Sequence, residues 1–153
     1  VVIGDIGDGW SYALMNRVFR QLMRSPPPQL VALGMTRYWR ADDGLRLDVA
    51  PFIKAFEHAS GCQPIVLGKP SRDFYAIALQ MINCDPLHTV MIGDDIQGDV
   101  LGAQECGMQG LLVKTGKFRP ADMDTGVMPD ALLDSIADLP DWWEQQERRY
   151  AVN

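Results

Sequence analysis

Apolar positions along the chain follow two alternating styles. Some form short continuous runs, and others recur at helical spacing. VVIG (1–4) reads as a short buried strand. SYALMNRVFRQLM (11–23) places Leu14, Val18, Phe19 and Leu22 on one helical face, with Asp8 or Ser11 as its cap. Pro26, Pro27 and Pro28 stop that helix, and QLVAL (29–33) is a strand. TRYWRADDGLRLDV (36–49) predicts a hairpin turning at Asp43-Gly44. PFIKAFEHA (51–59) is a helix that opens on Pro51 and ends at Gly61.

Beyond Gln63 the alternation tightens. Strands are predicted at 64–68, 89–94, 110–115 and, more weakly, 130–135. Helices are predicted at 71–82, capped by Ser71, and at 97–107 and 139–149. Strand–helix–strand at this spacing implies parallel βαβ units, so the fold class is α/β with a parallel sheet. A boundary near residue 63 separates 1–63 from 64–153. Residues 116–129, rich in Gly, Pro and Asp, are expected to form a loop.

Composition narrows the function classes. A chain of 153 residues with 47% hydrophobic and 22% charged residues is that of a globular protein. The net charge of −6 argues against nucleic acid as a partner, because a phosphate-binding surface needs a basic excess. No apolar run is long enough to span a bilayer, and VVIGDIGDGW lacks the basic start and cleavage pattern of a signal peptide. Cys62, Cys84 and Cys106 are odd in number with no CxxC, which fits reduced, buried thiols in a cytoplasmic protein. His58 and His88 stand singly and read as surface or packing residues.

The candidate chemistry lies at two strand ends. Ligands of open parallel sheets bind beyond the carboxyl ends of the strands. VLGKP sets Lys69 just past one such end. VMIGDDIQGDV sets Asp94 and Asp95 past another, with Asp99 in the next helical turn. Hard cations take carboxylate oxygens, and Mg²⁺ typically takes one or two with waters and a substrate phosphate. A nearby lysine offsets further negative charge and can hold a phosphate oxygen. Taken singly, GDD is a helix cap and Lys69 a surface lysine. The pairing of strand–GKP with strand–GDD-x3-D is far more specific than either part and points to an Mg²⁺–phosphate site.

Residues 64–120, PIVLGKPSRDFYAIALQMINCDPLHTVMIGDDIQGDVLGAQECGMQGLLVKTGKFRP, resemble the haloacid dehalogenase (HAD) superfamily of phosphatases. Residues 30–61 resemble the α/β cap of its C2-capped branch. The resemblance implies a partial C2-type cap over 1–63 and the C-terminal part of a Rossmann-like core sheet over 64–153. It implies that Lys69 binds the substrate phosphoryl group and steadies the nucleophile, and that Asp94 binds Mg²⁺. Asp95 joins Asp94 at the metal, and Asp99 supports catalysis by orienting metal waters and Lys69. The implied reaction is hydrolysis of a small phosphorylated substrate through an aspartyl-phosphate; phosphate monoesters, phosphoamino acids and pyrophosphate all fit. The nucleophile of that family sits in an Asp-x-Asp-Gly motif upstream of the cap. IGDIGDG offers Asp5 and Asp8 at the wrong spacing and reads as a cap loop. The chain is therefore expected to begin inside the cap and to be inactive alone, with uncovered apolar edges that favour self-association into a homo-oligomer.

Two other classes compete. A phosphoacceptor receiver domain also gathers strand-end aspartates with a lysine, but its acidic residues precede the lysine, whereas Lys69 comes first. A non-catalytic binding or oligomerisation module derived from a phosphatase is the alternative that remains. GDIGDG lacks the spacing of a dinucleotide loop. Gly34-Met35-Thr36 reads as a turn or as a specificity loop. One of Trp142 and Trp143 is expected to pack on the sheet and the other to be exposed.

Overall fold

A computed structural model describes residues 1–150 and divides the chain into two compact units, residues 1–84 and 85–153. The first unit opens with β1 (Val2–Ile3) and α1 (Tyr12–Leu22). Ser11, rather than Asp8, caps α1, its Oγ accepting from the Leu14 amide at 3.2 Å. β2 (Leu30–Ala32) pairs in parallel with β1, and α1 is the crossover between them. β3 (Tyr38–Ala41) and β4 (Gly44–Leu47) form the predicted hairpin, but Ala41 pairs with Gly44, so the turn is Asp42-Asp43, one residue earlier than predicted. Arg46 closes it with two hydrogen bonds to the Asp43 carboxylate, at 2.7 and 3.0 Å.

α2 (Val49–Ser60) is capped by Asp48 and ends at Gly61, whose φ of 73° suits glycine. β5 (Pro64–Val66) is followed by α3 (Arg72–Ile82), capped by Ser71 as predicted. The core buries Ile3, Leu22, Leu30, Ala32, Ile53 and Phe56 between the sheet and the inward faces of α1 and α2. Trp10 stacks on Phe52 with ring centroids 4.3 Å apart; its Nε1 is buried and has no hydrogen-bond partner among the described residues.

The division at residue 63 does not coincide with that between the units. β5 pairs in parallel with β2, in the register Leu30↔Pro64 to Ala32↔Val66, and so joins the sheet of the upstream strands in the order β1-β2-β5. The expectation of one continuous parallel layer from residue 64 onward is corrected accordingly. An apolar run such as PIV is equally suited to any buried position, and its pattern does not name its neighbour.

The second unit is a separate parallel sheet, β6-β7-β8, formed by β6 (Val90–Gly93), β7 (Gln109–Val113) and β8 (Ala131–Leu133). Between β6 and β7 the chain does not form the regular helix expected over 97–107. A π-helical turn spans Ile96–Leu101, with the Val100 amide donating to the Asp95 carbonyl at 3.2 Å, and only then comes the short α4 (Gly102–Gln104). Residues 116–129 are not wholly irregular: Pro120–Thr125 form a 3₁₀ helix in which Asp122 Oδ2 accepts from the Arg119 amide at 2.7 Å. α5 (Leu139–Tyr150) closes the unit, with Leu139 and Trp142 against the core of Leu111, Val113 and Leu133. Trp143 is exposed, so the two tryptophans divide as expected. Among the described residues the three cysteines form no disulfide, and they are half-buried rather than buried. Among the described residues no helix is long and apolar enough to cross a membrane.

Candidate active site

The three aspartates gather at the carboxyl end of β6, each held by a different device. β6 is flanked by β7 in the register Val90↔Gln109 to Gly93↔Leu112, which fixes where Asp94 emerges. Asp94 Oδ2 accepts from the Lys117 amide at 2.7 Å, and its Oδ1 takes no part in that bond. Gly116, at φ 61°, makes this approach feasible: a Cβ there would fall inside the Asp94 carboxylate.

Asp95 is the cap of the π-helical turn. Its Oδ1 accepts from the Gln97 amide at 3.1 Å, and its Oδ2 pairs with Lys117 Nζ at 2.6 Å. The side chains of this pair are only 11% (Lys117) and 16% (Asp95) exposed. Burial alone would raise the Asp95 carboxyl. The hydrogen bond from Lys117, the Gly98 amide, the lysine charge and the Gln97 amide outweigh it and hold the group below the usual carboxylate range.

Asp99 is buried, at 3% exposure, and its Oδ2 accepts from the Asp95 amide at 3.1 Å. It lies directly over Gly93, where any Cβ would collide with its carboxylate. The like charges crowded here are thus offset by backbone amides and by the Lys117 ammonium. Of the aspartates predicted from sequence, all three come together in the second unit. Lys69 belongs to the first unit, where it follows β5 and its carbonyl accepts from the Met35 amide at 3.0 Å.

Sequence reasoning missed Lys117 and Gly116. Both lie in VKTGKFRP, a stretch quoted above for its resemblance and given no role. The available signal was a Gly-Lys pair shortly after an apolar strand, the same pattern that singled out Gly68-Lys69.

No group of three or more His, Cys, Asp or Glu among the described residues is arranged as a closed metal cage. The donor chemistry nonetheless fits Mg²⁺ in its usual protein setting, bound by one or two carboxylates and completed by water and phosphate. Asp94 offers an oxygen not used in its own hydrogen bond, whereas both oxygens of Asp95 are engaged with protein donors.

Known proteins share this arrangement of sequence. A family profile described as HAD-hydrolase-like matches residues 66–139. The rat phospholysine phosphohistidine inorganic pyrophosphate phosphatase is 49% identical over 142 residues, covering 92% of this chain and 53% of that protein. The bovine haloacid dehalogenase-like hydrolase domain-containing protein 2 is 46% identical over 124 residues, covering 81% of this chain and 47% of that protein. Among solved structures, p-nitrophenyl phosphatase from Archaeoglobus fulgidus superposes with a TM-score of 0.75 at 27% identity, covering 90% of this chain and 54% of that one. The chain thus spans about half the length of the curated relatives it matches. With GKP, GDD-x3-D and TGK in place on an α/β scaffold of parallel sheets, the chain belongs to the haloacid dehalogenase-like family of phosphohydrolases.

Proposed function

We propose that the chain supplies the metal- and phosphate-handling half of an Mg²⁺-dependent phosphohydrolase. The observation that carries this reading is the set of three aspartates fastened at the end of β6, with one oxygen of Asp94 outside its own hydrogen bond. Asp94 would hold Mg²⁺, which when bound neutralises charge on the phosphoryl oxygens. Asp95 and Asp99 keep Asp94 and its surroundings in place. Lys69 contributes a positive charge to the substrate phosphoryl group. The substrate is a small phosphorylated molecule, for which phosphoamino acids and pyrophosphate are the classes suggested by the relatives' names.

The attacking carboxylate comes from a strand ending in Asp-x-Asp-Gly. That motif does not occur within the 153 residues. Asp122-Met123-Asp124-Thr125 approximates it, but it lies in a 3₁₀ helix rather than at a strand end, and Asp122 is engaged in capping. An attacking Asp oxygen forms a bond to phosphorus as the bond to the leaving group breaks, and water then cleaves the acyl phosphate to release inorganic phosphate. In this reading residues before β5 belong to a C2-type cap and those after it to the core.

Phosphate release from an aryl phosphate and from pyrophosphate, with and without Mg²⁺, tests the proposal. The chain alone is expected to give background rates. The chain joined to an upstream Asp-x-Asp-Gly segment is expected to turn over in an Mg²⁺-dependent way, and Lys69→Ala in that protein should lower turnover sharply. Robust turnover by the chain alone, abolished by Asp5→Asn or Asp8→Asn, would overturn the assignment of the nucleophile.

A further inference from the structure

Lys117 serves two neighbouring carboxylates and leaves them in unlike states. Its main-chain amide donates to Asp94 Oδ2 at 2.7 Å, and Asp94 Oδ1 lies outside that bond. Its ammonium meets Asp95 Oδ2 at 2.6 Å, while Asp95 Oδ1 accepts from the Gln97 amide at 3.1 Å. Backbone also crowds Asp95, since a Cβ at Gly98 would lie 2.7 Å from Asp95 Oδ2. The carboxylate offered to a cation thus receives a neutral donor from residue 117, and its neighbour receives the charge.

A positive charge beside a candidate Mg²⁺ ligand opposes the binding of the ion. It cancels the attraction that Asp95 would exert, and it repels the cation directly. Salt screens exposed charges over about 8 Å at physiological ionic strength, but it screens buried pairs much less. The side chains of Lys117 and Asp95 are only 11% and 16% exposed, so the opposition persists in solution. Bracing the turn and weakening the cation site are separable effects, because loss of the lysine moves Mg²⁺ affinity in opposite directions under each. A lysine that merely braces Asp95 would, once removed, loosen the strand end and lower the affinity. A lysine that opposes the ion by its charge would, once removed, raise it.

We propose that Lys117 limits the affinity of this strand end for Mg²⁺: its ammonium neutralises Asp95, so that of the two adjacent carboxylates Asp94 alone attracts the ion at full charge. The ion is then held loosely by the protein and stays exchangeable. The inference rests on the phosphohydrolase reading and adds to it a control on the metal. Lys117 acts through Asp95 and is a positioning residue, touching neither the ion nor the substrate.

Titration of the full chain with MgCl₂ at constant ionic strength, followed by amide chemical shifts, tests it. Lys117→Met and Lys117→Gln are expected to bind Mg²⁺ about tenfold more tightly than the native protein. Lys117→Gln keeps a donor for Asp95 Oδ2, so it carries the test if Lys117→Met does not fold. Lys117→Arg keeps the charge and should stay within about twofold of native. Adding Asp95→Asn to either neutral variant removes the released charge and should return the affinity to within about threefold of native. Unchanged or weaker binding in the neutral variants, with Asp94→Asn still weakening the native protein, would overturn the inference and leave the metal role of Asp94 standing. Tightening that survives Asp95→Asn in full would also overturn it. Mg²⁺ binding indifferent to Asp94→Asn would overturn the phosphohydrolase reading of the site, and absence of binding in the native and neutral proteins alike would overturn both.

Discussion

Replacing Lys117 with methionine keeps the length and bulk of the side chain and removes its charge. In the native protein Lys117 Nζ lies 2.6 Å from Asp95 Oδ2, and the two side chains retain only 11% and 16% of their exposure. Asp95 would keep its amide donors but lose the Lys117 ammonium, leaving a largely buried carboxylate short of the counter-charge it now has. Removing one member of a buried pair costs about 3–5 kcal/mol, and the residual exposure here trims this to about 2–4 kcal/mol. A domain is stable by about 5–15 kcal/mol in total, so the effect is large. Amide hydrogen exchange in β6 and β7, at Ile92 and Leu112, should accelerate by about 30- to 1,000-fold near pH 7. In the native protein the depressed Asp95 carboxyl contributes stability that is fully present above the unfolded carboxylate range. That contribution is lost as pH falls through the lower folded value. In Lys117→Met burial dominates, the carboxyl rises, and the penalty fades as acid protonates it. The gap between the two proteins should therefore narrow from about pH 7 to about pH 3. Adding Asp95→Asn to Lys117→Met should recover about half of the loss or more, because no buried charge then remains. A single-variant loss below about 0.5 kcal/mol near pH 7, or a gap that does not change with pH, would refute the reasoning.

Other perturbations separate the remaining parts of the structure. Asp94→Asn preserves an acceptor for the Lys117 amide, so the melting temperature should stay within about 2 °C while Mg²⁺ affinity, read by calorimetry, falls about tenfold or more. Gly116→Ala places a Cβ inside the Asp94 carboxylate at a positive φ and should cost about 2–4 kcal/mol in urea denaturation; a neutral result would contradict the close approach. Trp10→Phe removes a buried N–H that has no partner among the described residues while keeping an aromatic ring on Phe52. It should alter stability by less than about 1 kcal/mol, whereas Trp10→Ala should cost about 3–5 kcal/mol.

What could be read from the sequence was what local chemistry decides. Ser11, Asp48 and Ser71 accept amide hydrogen bonds at the starts of α1, α2 and α3, and Gly61 ends α2 in a conformation few other residues adopt. The sequence predicts Ser71 and Gly61 in these roles, and offers Ser11 together with Asp8 for the start of α1. The aspartates were legible because three charges at one strand end demand compensation. Their partner was not, because Lys117 follows Asp95 by 22 residues and no periodicity joins them. The pairing of β5 with β2 was likewise invisible, since the two strands lie far apart in the chain and no local pattern joins them. After β6 the sequence predicts an ordinary helix where the structure has a π-helical turn. Ile96 and Val100 have helical spacing in either form, and only the carbonyl that Val100 finds, five residues back rather than four, distinguishes them.

Lys117 grips two aspartates by different means, its ammonium on Asp95 and its main-chain amide on Asp94. A mutational scan would register only the first. Every substitution except proline leaves the amide in place, so Asp94 would keep its hydrogen bond through a full set of side-chain replacements at position 117. The tolerance profile of that position would report the side chain and its pairing with Asp95, not the amide. The other half of the contact would surface in the scan at Gly116, where the side chain that must be absent matters more than any that could be present. Replacing the amide at residue 117 with an ester, by chemical synthesis, would isolate the bond to Asp94 without touching the lysine.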